Sequence, residues 1–100
     1  MSETPKGYWV GHVTVEDPQA YQAYRAANAA AFAKYGARFL VRGGEMEVVE
    51  GDLRPRTLVI EFPSLAAARA CYLSPEYQHA LGLRTPVSEA DICIVEGWIG

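Results

Sequence analysis

The tightest local constraint in this chain lies at Pro63, where a strand-forming run meets an alanine-rich one. Residues 56–62 are β-branched and aromatic, and Pro63 cannot donate a ladder hydrogen bond, so a strand ends there. Ser64 suits the N-cap of a helix over residues 65–72, because its hydroxyl can accept from a first-turn amide. Ser74 and Pro75 then restart the helix, Ser at the cap and Pro at the first position, where a missing N–H is not needed. Glu76 adds negative charge at the positive end of the helix dipole. This second piece runs through Tyr77, Ala80 and Leu81 and is expected to weaken at Gly82.

The same signals punctuate the rest of the chain. Residues 7–15 alternate as a strand, with Trp9, Val13 and Val15 on one face and Tyr8, Val10, His12 and Thr14 on the other. Asp17 and Pro18 repeat the cap-plus-proline device and open a long helix to Tyr35, with Gly36 in the C-cap position. At 100° per residue, Tyr21, Tyr24, Asn28, Ala31, Phe32 and Tyr35 share one sector of that helix. Asn28 lies in the middle of the aromatic sector, where an unpaired amide costs about 1–3 kcal/mol, so it needs a partner. A second strand covers residues 37–42, and Gly43 and Gly44 break it as a bulge or bend. Residues 46–50 read as its alternating extension, residues 51–55 as the turn into the third strand, and residues 91–99 as the fourth strand.

The order is therefore β-α-β-β-α-β, the ferredoxin-like arrangement: an α+β fold whose four-stranded antiparallel sheet carries its helices on one face. The other face has no cover within the chain, yet strand one offers bulk on both sides, strand three sets Leu58, Ile60 and Phe62 against Val59, and strand four sets Ile92 and Ile94 against Cys93 and Val95. At ~25 cal/mol per Å2 of apolar surface, leaving such a face in water forgoes several kcal/mol. A second copy packed sheet to sheet by a two-fold axis is the expected remedy, giving a homodimer.

Composition narrows the function classes. The 100 residues support one domain, spanning 1–100, and a chain of this length buries roughly 60–70% of its unfolded surface. Half the residues are hydrophobic and 21% are charged, which excludes disorder. A net charge of −3 with nine scattered Lys and Arg gives no footprint for nucleic acid. Cys71 and Cys93 have no metal spacing and read as reduced core thiols. The polar opening from Met1 to Lys6 has no apolar h-region, and no apolar run approaches the ~20 residues that span a bilayer. The expected compartment is the cytoplasm, without membrane contact.

Taken together, these residues resemble the family catalogued as domain of unknown function 1330, a branch of the dimeric α+β barrel superfamily. The match is carried by Gly7-Tyr8-Trp9, by Asp17 with Tyr21 and Tyr24, and by Tyr35-Gly36 running on to Phe39-Leu40-Val41-Arg42-Gly43-Gly44. It continues through Glu50-Gly51, Arg56, Glu61-Phe62-Pro63-Ser64, Tyr72, Ser74-Pro75-Glu76-Tyr77-Gln78, Arg84 and Glu96-Gly97. The resemblance implies the ferredoxin-like fold and the sheet-to-sheet dimer, and no established reaction. The wider superfamily includes cofactor-free monooxygenases, small isomerases and haem enzymes.

Candidate site residues fall into two groups. Tyr21, Tyr24, Asn28, Tyr72, Tyr77 and Arg56 are the ligand-binding candidates, since a phenol offers a ring to stack and a hydroxyl to orient, and Asn28 can hold a carbonyl. His12 and Glu61 are the catalytic candidates, as bases for proton abstraction beside a carbonyl. Glu61 has a plainer expectation, an ion pair with Arg42, Arg56 or Arg84. Neither His12 nor His79 has a ligand-type neighbour at metal spacing, so no metal and no cofactor are expected, and His79 reads as solvated. Two functions fit. One is a dimer that binds a small apolar or aromatic molecule, as a cofactor-free enzyme of isomerase or monooxygenase type. The other is a non-catalytic dimeric structural or regulatory module.

Overall fold

The structure is a computed structural model and describes residues 4–99. The reading of the polar opening therefore lies partly outside the described residues, at Met1, Ser2 and Glu3. The chain runs β1 (Gly7–Val15), α1 (Pro18–Lys34), β2 (Arg38–Arg42), β3 (Arg56–Phe62), α2 (Leu65–Leu73), α3 (Pro75–Arg84), a 3-10 turn (Thr85–Val87) and β4 (Ser88–Glu96). The strands form one open antiparallel sheet in the order β2-β3-β1-β4. This is the ferredoxin-like arrangement, with the second helix split in two.

The expected caps are in place. Asp17 Oδ1 accepts from the Ala20 amide at 3.1 Å, Ser64 Oγ from the Ala67 amide at 3.1 Å, and Ser74 Oγ from the Tyr77 amide at 3.1 Å. Gly36 ends the α1 segment at φ 72°, a left-handed conformation that glycine adopts without Cβ strain.

All helices cover one face of the sheet. Trp9 and Val13 of β1 and Ile60 and Phe62 of β3 point to the helices and join Tyr21, Tyr24, Phe32, Cys71 and Tyr77 in a single core. Trp9 stands at its centre: its ring meets those of Phe32, Phe62, Tyr72 and Tyr77, and Nε1 donates to the Ala68 carbonyl at 2.9 Å. Register sets the opposite face. Tyr8 lies between Glu61 and Val95, Val10 between Val59 and Cys93, and His12 between Thr57 and Asp91. The smallest extent of the domain is 17 Å, the thickness of one helix layer on one sheet, so among the described residues this second face is bare of helices, and the connection from β2 to β3 touches it at Met46 beside Thr57 and Arg54 beside Thr14.

The glycine pair does end β2, with a bend at Gly43, and a separate register shift lies between Phe39 and Val41. Four expectations need correction. Residues 46–50 alternate but form no strand; they belong to the connection from β2 to β3. Helix α3 does not weaken at Gly82, because buried Tyr77, Ala80 and Arg84 anchor it on both sides of that residue. Strand β4 begins at Ser88 and ends at Glu96, its neighbour Gly97 donating instead to the Lys6 carbonyl at 2.7 Å. Only Cys71 is a core thiol; Cys93 is exposed on the bare face.

Candidate functional site

The site is built on the buried stripe of α1. Tyr21, Tyr24, Asn28, Ala31 and Phe32 face the sheet, where residues of β2 and β3 oppose them across a narrow cleft. Tyr24, Asn28 and Phe32 form its helix wall, and Arg42, Leu58 and Ile60 its sheet wall. The inner part holds only about 20 Å3, room for about one water. Toward the start of α1 it widens into a solvent-open groove of about 370 Å3. Val13, Val15 and Pro18 supply its apolar wall; Tyr21, Arg25 and Arg56 belong to both cleft and groove.

The side chains inside are unevenly satisfied. Asn28 is 5% exposed and lines the inner cleft. Arg56 Nε is buried without a partner. Burial pushes the Tyr21 phenol above its usual range, and Tyr24 adds to this, while the charges of Arg56, Arg84 and Arg25 pull it back. Three guanidinium groups thus act on one hydroxyl. Gly43, at φ 68°, closes over Arg56: a Cβ there would lie 2.9 Å from the guanidinium carbon.

Of the ligand-binding candidates, Tyr21, Tyr24, Asn28 and Arg56 come together in this cleft. Tyr72 and Tyr77 do not line it. The Tyr72 ring packs on Trp9 and Tyr77. The Tyr77 hydroxyl bonds that of Tyr24 at 2.9 Å, and burial raises its phenol far above the ordinary range.

The sheet separates His12 and Glu61 from all of these, since both lie on the bare face. The Glu61 carboxylate accepts from the Tyr8 hydroxyl at 3.1 Å, so the expected arginine pair does not form. Burial, and then Glu61, raise the Tyr8 phenol above its usual range. Thr57 Oγ1 donates to Met46 Sδ at 2.9 Å and lies 3.0 Å from His12 Nδ1. His79 is exposed, as expected. Among the described residues no three His, Cys, Asp or Glu side chains gather closely enough to hold a metal ion, and no helix is long and apolar enough to cross a membrane.

The sequence reading missed Arg25 and Arg42 as site residues. Arg25 had a signal: it follows Tyr21 by four residues and so lies one helical turn along the same face. Arg42 had none, because the shift in β2 register reassigns its face.

A one-sided α/β layer of this topology, with an open antiparallel sheet, defines a ferredoxin-like protein. The chain belongs to the family described as Domain of unknown function (DUF1330), which it matches over residues 6–98. No curated protein matches it significantly. Among solved structures, it is similar to a protein of unknown function from Rhodopseudomonas palustris, with 17% identity, TM-score 0.74 and coverage of 98% of this chain and 86% of that one. It is also similar to SnoaB, a cofactor-independent oxygenase from Streptomyces nogalater, with 16% identity, TM-score 0.64 and 97% of both chains covered. A dimeric ferredoxin-like protein of unknown function from Thermobifida fusca shares 13% identity, with TM-score 0.63 and 96% and 94% covered.

Proposed function

We propose that this chain acts as a cytoplasmic homodimer, paired through the bare sheet faces, in which each subunit binds a small aromatic or apolar molecule in the α1 groove. The observation behind this reading is the open groove of about 370 Å3, whose apolar wall faces a tyrosine and whose inner end runs into a cleft lined by Tyr24 and Asn28. The dimeric Thermobifida fusca neighbour supports the pairing. SnoaB supports chemistry of the cofactor-free oxygenase type.

The residues of the groove favour binding and orientation over proton abstraction. No Asp, Glu or His lines it among the described residues, and the raised phenol of Tyr21 is a donor rather than a base. A cofactor-free oxygenation there needs a substrate that itself delivers electrons to dioxygen. The isomerase type lacks its base on this side of the sheet. The non-catalytic module draws on a different observation, the inner cleft closed to about 20 Å3.

Two measurements test the proposal. Sedimentation at micromolar concentration is expected to give a particle of twice 11.0 kDa. A panel of small phenols and aromatic acids is expected to contain members that raise the melting temperature and move the methyl signals of Val13 and Val15. An 11.0 kDa particle rejects the dimer. A panel without effect on those methyls rejects the ligand and leaves the module.

A further inference from the structure

Resting on the groove as binding site, we infer that its occupant is a small organic monocarboxylate, its carboxylate held by Arg25 and Arg56 and its apolar part set against Tyr21 and Val13. The charge around the groove is of one sign. Arg25, Arg42 and Arg56 line the groove and its inner cleft, and no carboxylate lines either among the described residues. The chain carries a net charge of −3, so this is not the edge of a general basic surface.

The acids that pair with cations do so elsewhere. Arg54 meets Glu89 at 3.1 Å and Asp91 at 2.9 Å, and Lys34 meets Glu76 at 2.9 Å; no such ion pair involves Arg25, Arg42 or Arg56 among the described residues. A guanidinium with a buried, unpartnered Nε is a costly element unless an anion completes it. Arg56 is in that position, and the backbone at Gly43 is shaped to admit it. Arg84, 7% exposed and also with an unpartnered Nε, adds positive charge behind Tyr24.

The anion is a carboxylate on chemical grounds. A planar guanidinium fork matches a planar carboxylate, and the apolar wall needs an organic body to cover it. A phosphate would draw on free helix-start amides, but at α1 the Ala20 amide is already taken by Asp17, whose own negative charge opposes a dianion there.

The test compares benzoate, the uncharged isostere benzamide and inorganic phosphate on the full chain, following the methyl signals of Val13 and Val15 at low and high salt. Benzoate is expected to bind saturably, to weaken with salt, and to lose about tenfold or more in Arg56→Gln and in Arg25→Gln. Arg56→Lys keeps the charge without the fork and is expected to fall between. Should Arg56→Gln not fold, Arg25→Gln carries the same comparison. Benzamide binding as tightly as benzoate overturns the carboxylate while leaving the groove as a site. Phosphate matching benzoate overturns the organic acid. If none of the three moves the groove methyls, while a neutral phenol does, the inference falls alone; if nothing moves them, the groove reading falls with it.

Discussion

The paired hydroxyls of Tyr24 and Tyr77 allow a test whose sign distinguishes core from ligand site. They lie 2.9 Å apart, on residues that are 6% and 0% exposed. Tyr77→Phe removes one hydroxyl and strands the other away from water, which costs about 1–3 kcal/mol. Tyr24→Phe does the same in reverse. Arg84, whose guanidinium carbon is 5.6 Å from the Tyr24 ring centre and whose charge acts on the Tyr77 phenol, makes Tyr77→Phe the costlier change. In the double variant neither hydroxyl is left stranded and only the Arg84 interaction with Tyr77 is lost, so its cost is expected to stay below about 1 kcal/mol. The coupling is then at least ~1 kcal/mol, beyond the ~0.3–0.5 kcal/mol scatter of independent sites. Urea unfolding followed by circular dichroism measures it, at one fixed protein concentration, because dimerisation makes the midpoint concentration-dependent. Two single costs that simply add in the double variant would refute the buried pair. A Tyr77→Phe variant of unchanged stability that no longer binds a groove ligand would return Tyr77 to the site.

Two glycines should respond with opposite sign. A Cβ at Gly7 would sit 2.7 Å from Leu65 Cα, a backbone clash that Gly7→Ala resolves only by moving β1 off α2, for a loss of about 1–3 kcal/mol or more. Gly82 lies inside α3 with nothing within 4 Å, so Gly82→Ala should stabilise by about 0.5–1 kcal/mol; a melting temperature that rises for Gly7→Ala or falls for Gly82→Ala would contradict that assignment. Burial pushes the Cys71 thiol up to about 12, so in the native protein a thiol reagent near pH 8 should leave Cys71 unmodified, and modify it only after urea is added. The same shift gives a pH dependence. The unfolded thiol ionises from about 9 while the folded one holds its proton, so this contribution is intact below that pH and is lost as pH rises toward about 12. On the order of 2 kcal/mol should be gone by about pH 11, and Cys71→Ala should flatten the decline; an unchanged slope in that variant would reject the assignment.

The parts of the fold legible in sequence are those set by neighbours along the chain. Asp17 with Pro18, Ser64, and Ser74 with Pro75 mark helix starts because a cap acts within three residues of itself. What pairing decides was less legible. Residues 46–50 alternate like a strand, but alternation does not supply a partner edge, and β2 is already the end of the sheet. Gly82 reads as a weak point of the helix until the burial of Arg84 beyond it is known. Period two put His12 on the side opposite Trp9, and Glu61 opposite Ile60, without saying which side the helices take. That one bit, supplied by packing, parts the catalytic candidates from the tyrosines.

The division has a consequence for the dimer. The hollow beside His12, lined by Thr14, Arg54 and Asp91, opens on the bare face, and so does the one bordered by Tyr8 and Trp98. A second copy packed on that face would cover both and place His12 Nε2 within the interface. The α1 groove opens through Val13, Val15 and Pro18 on the helix side, so pairing would leave its mouth in solvent. Ligand entry at the groove and assembly through the sheet thus use opposite sides of one layer, joined through strands β1 and β3 and through Pro55, which borders both the groove and the hollow beside His12. A charge substitution at Val59, on the bare face between Val10 and Val41, should therefore weaken pairing while leaving groove affinity within about twofold, as expected for sites without shared partners. Loss of both together would mean that the partner copy completes the groove.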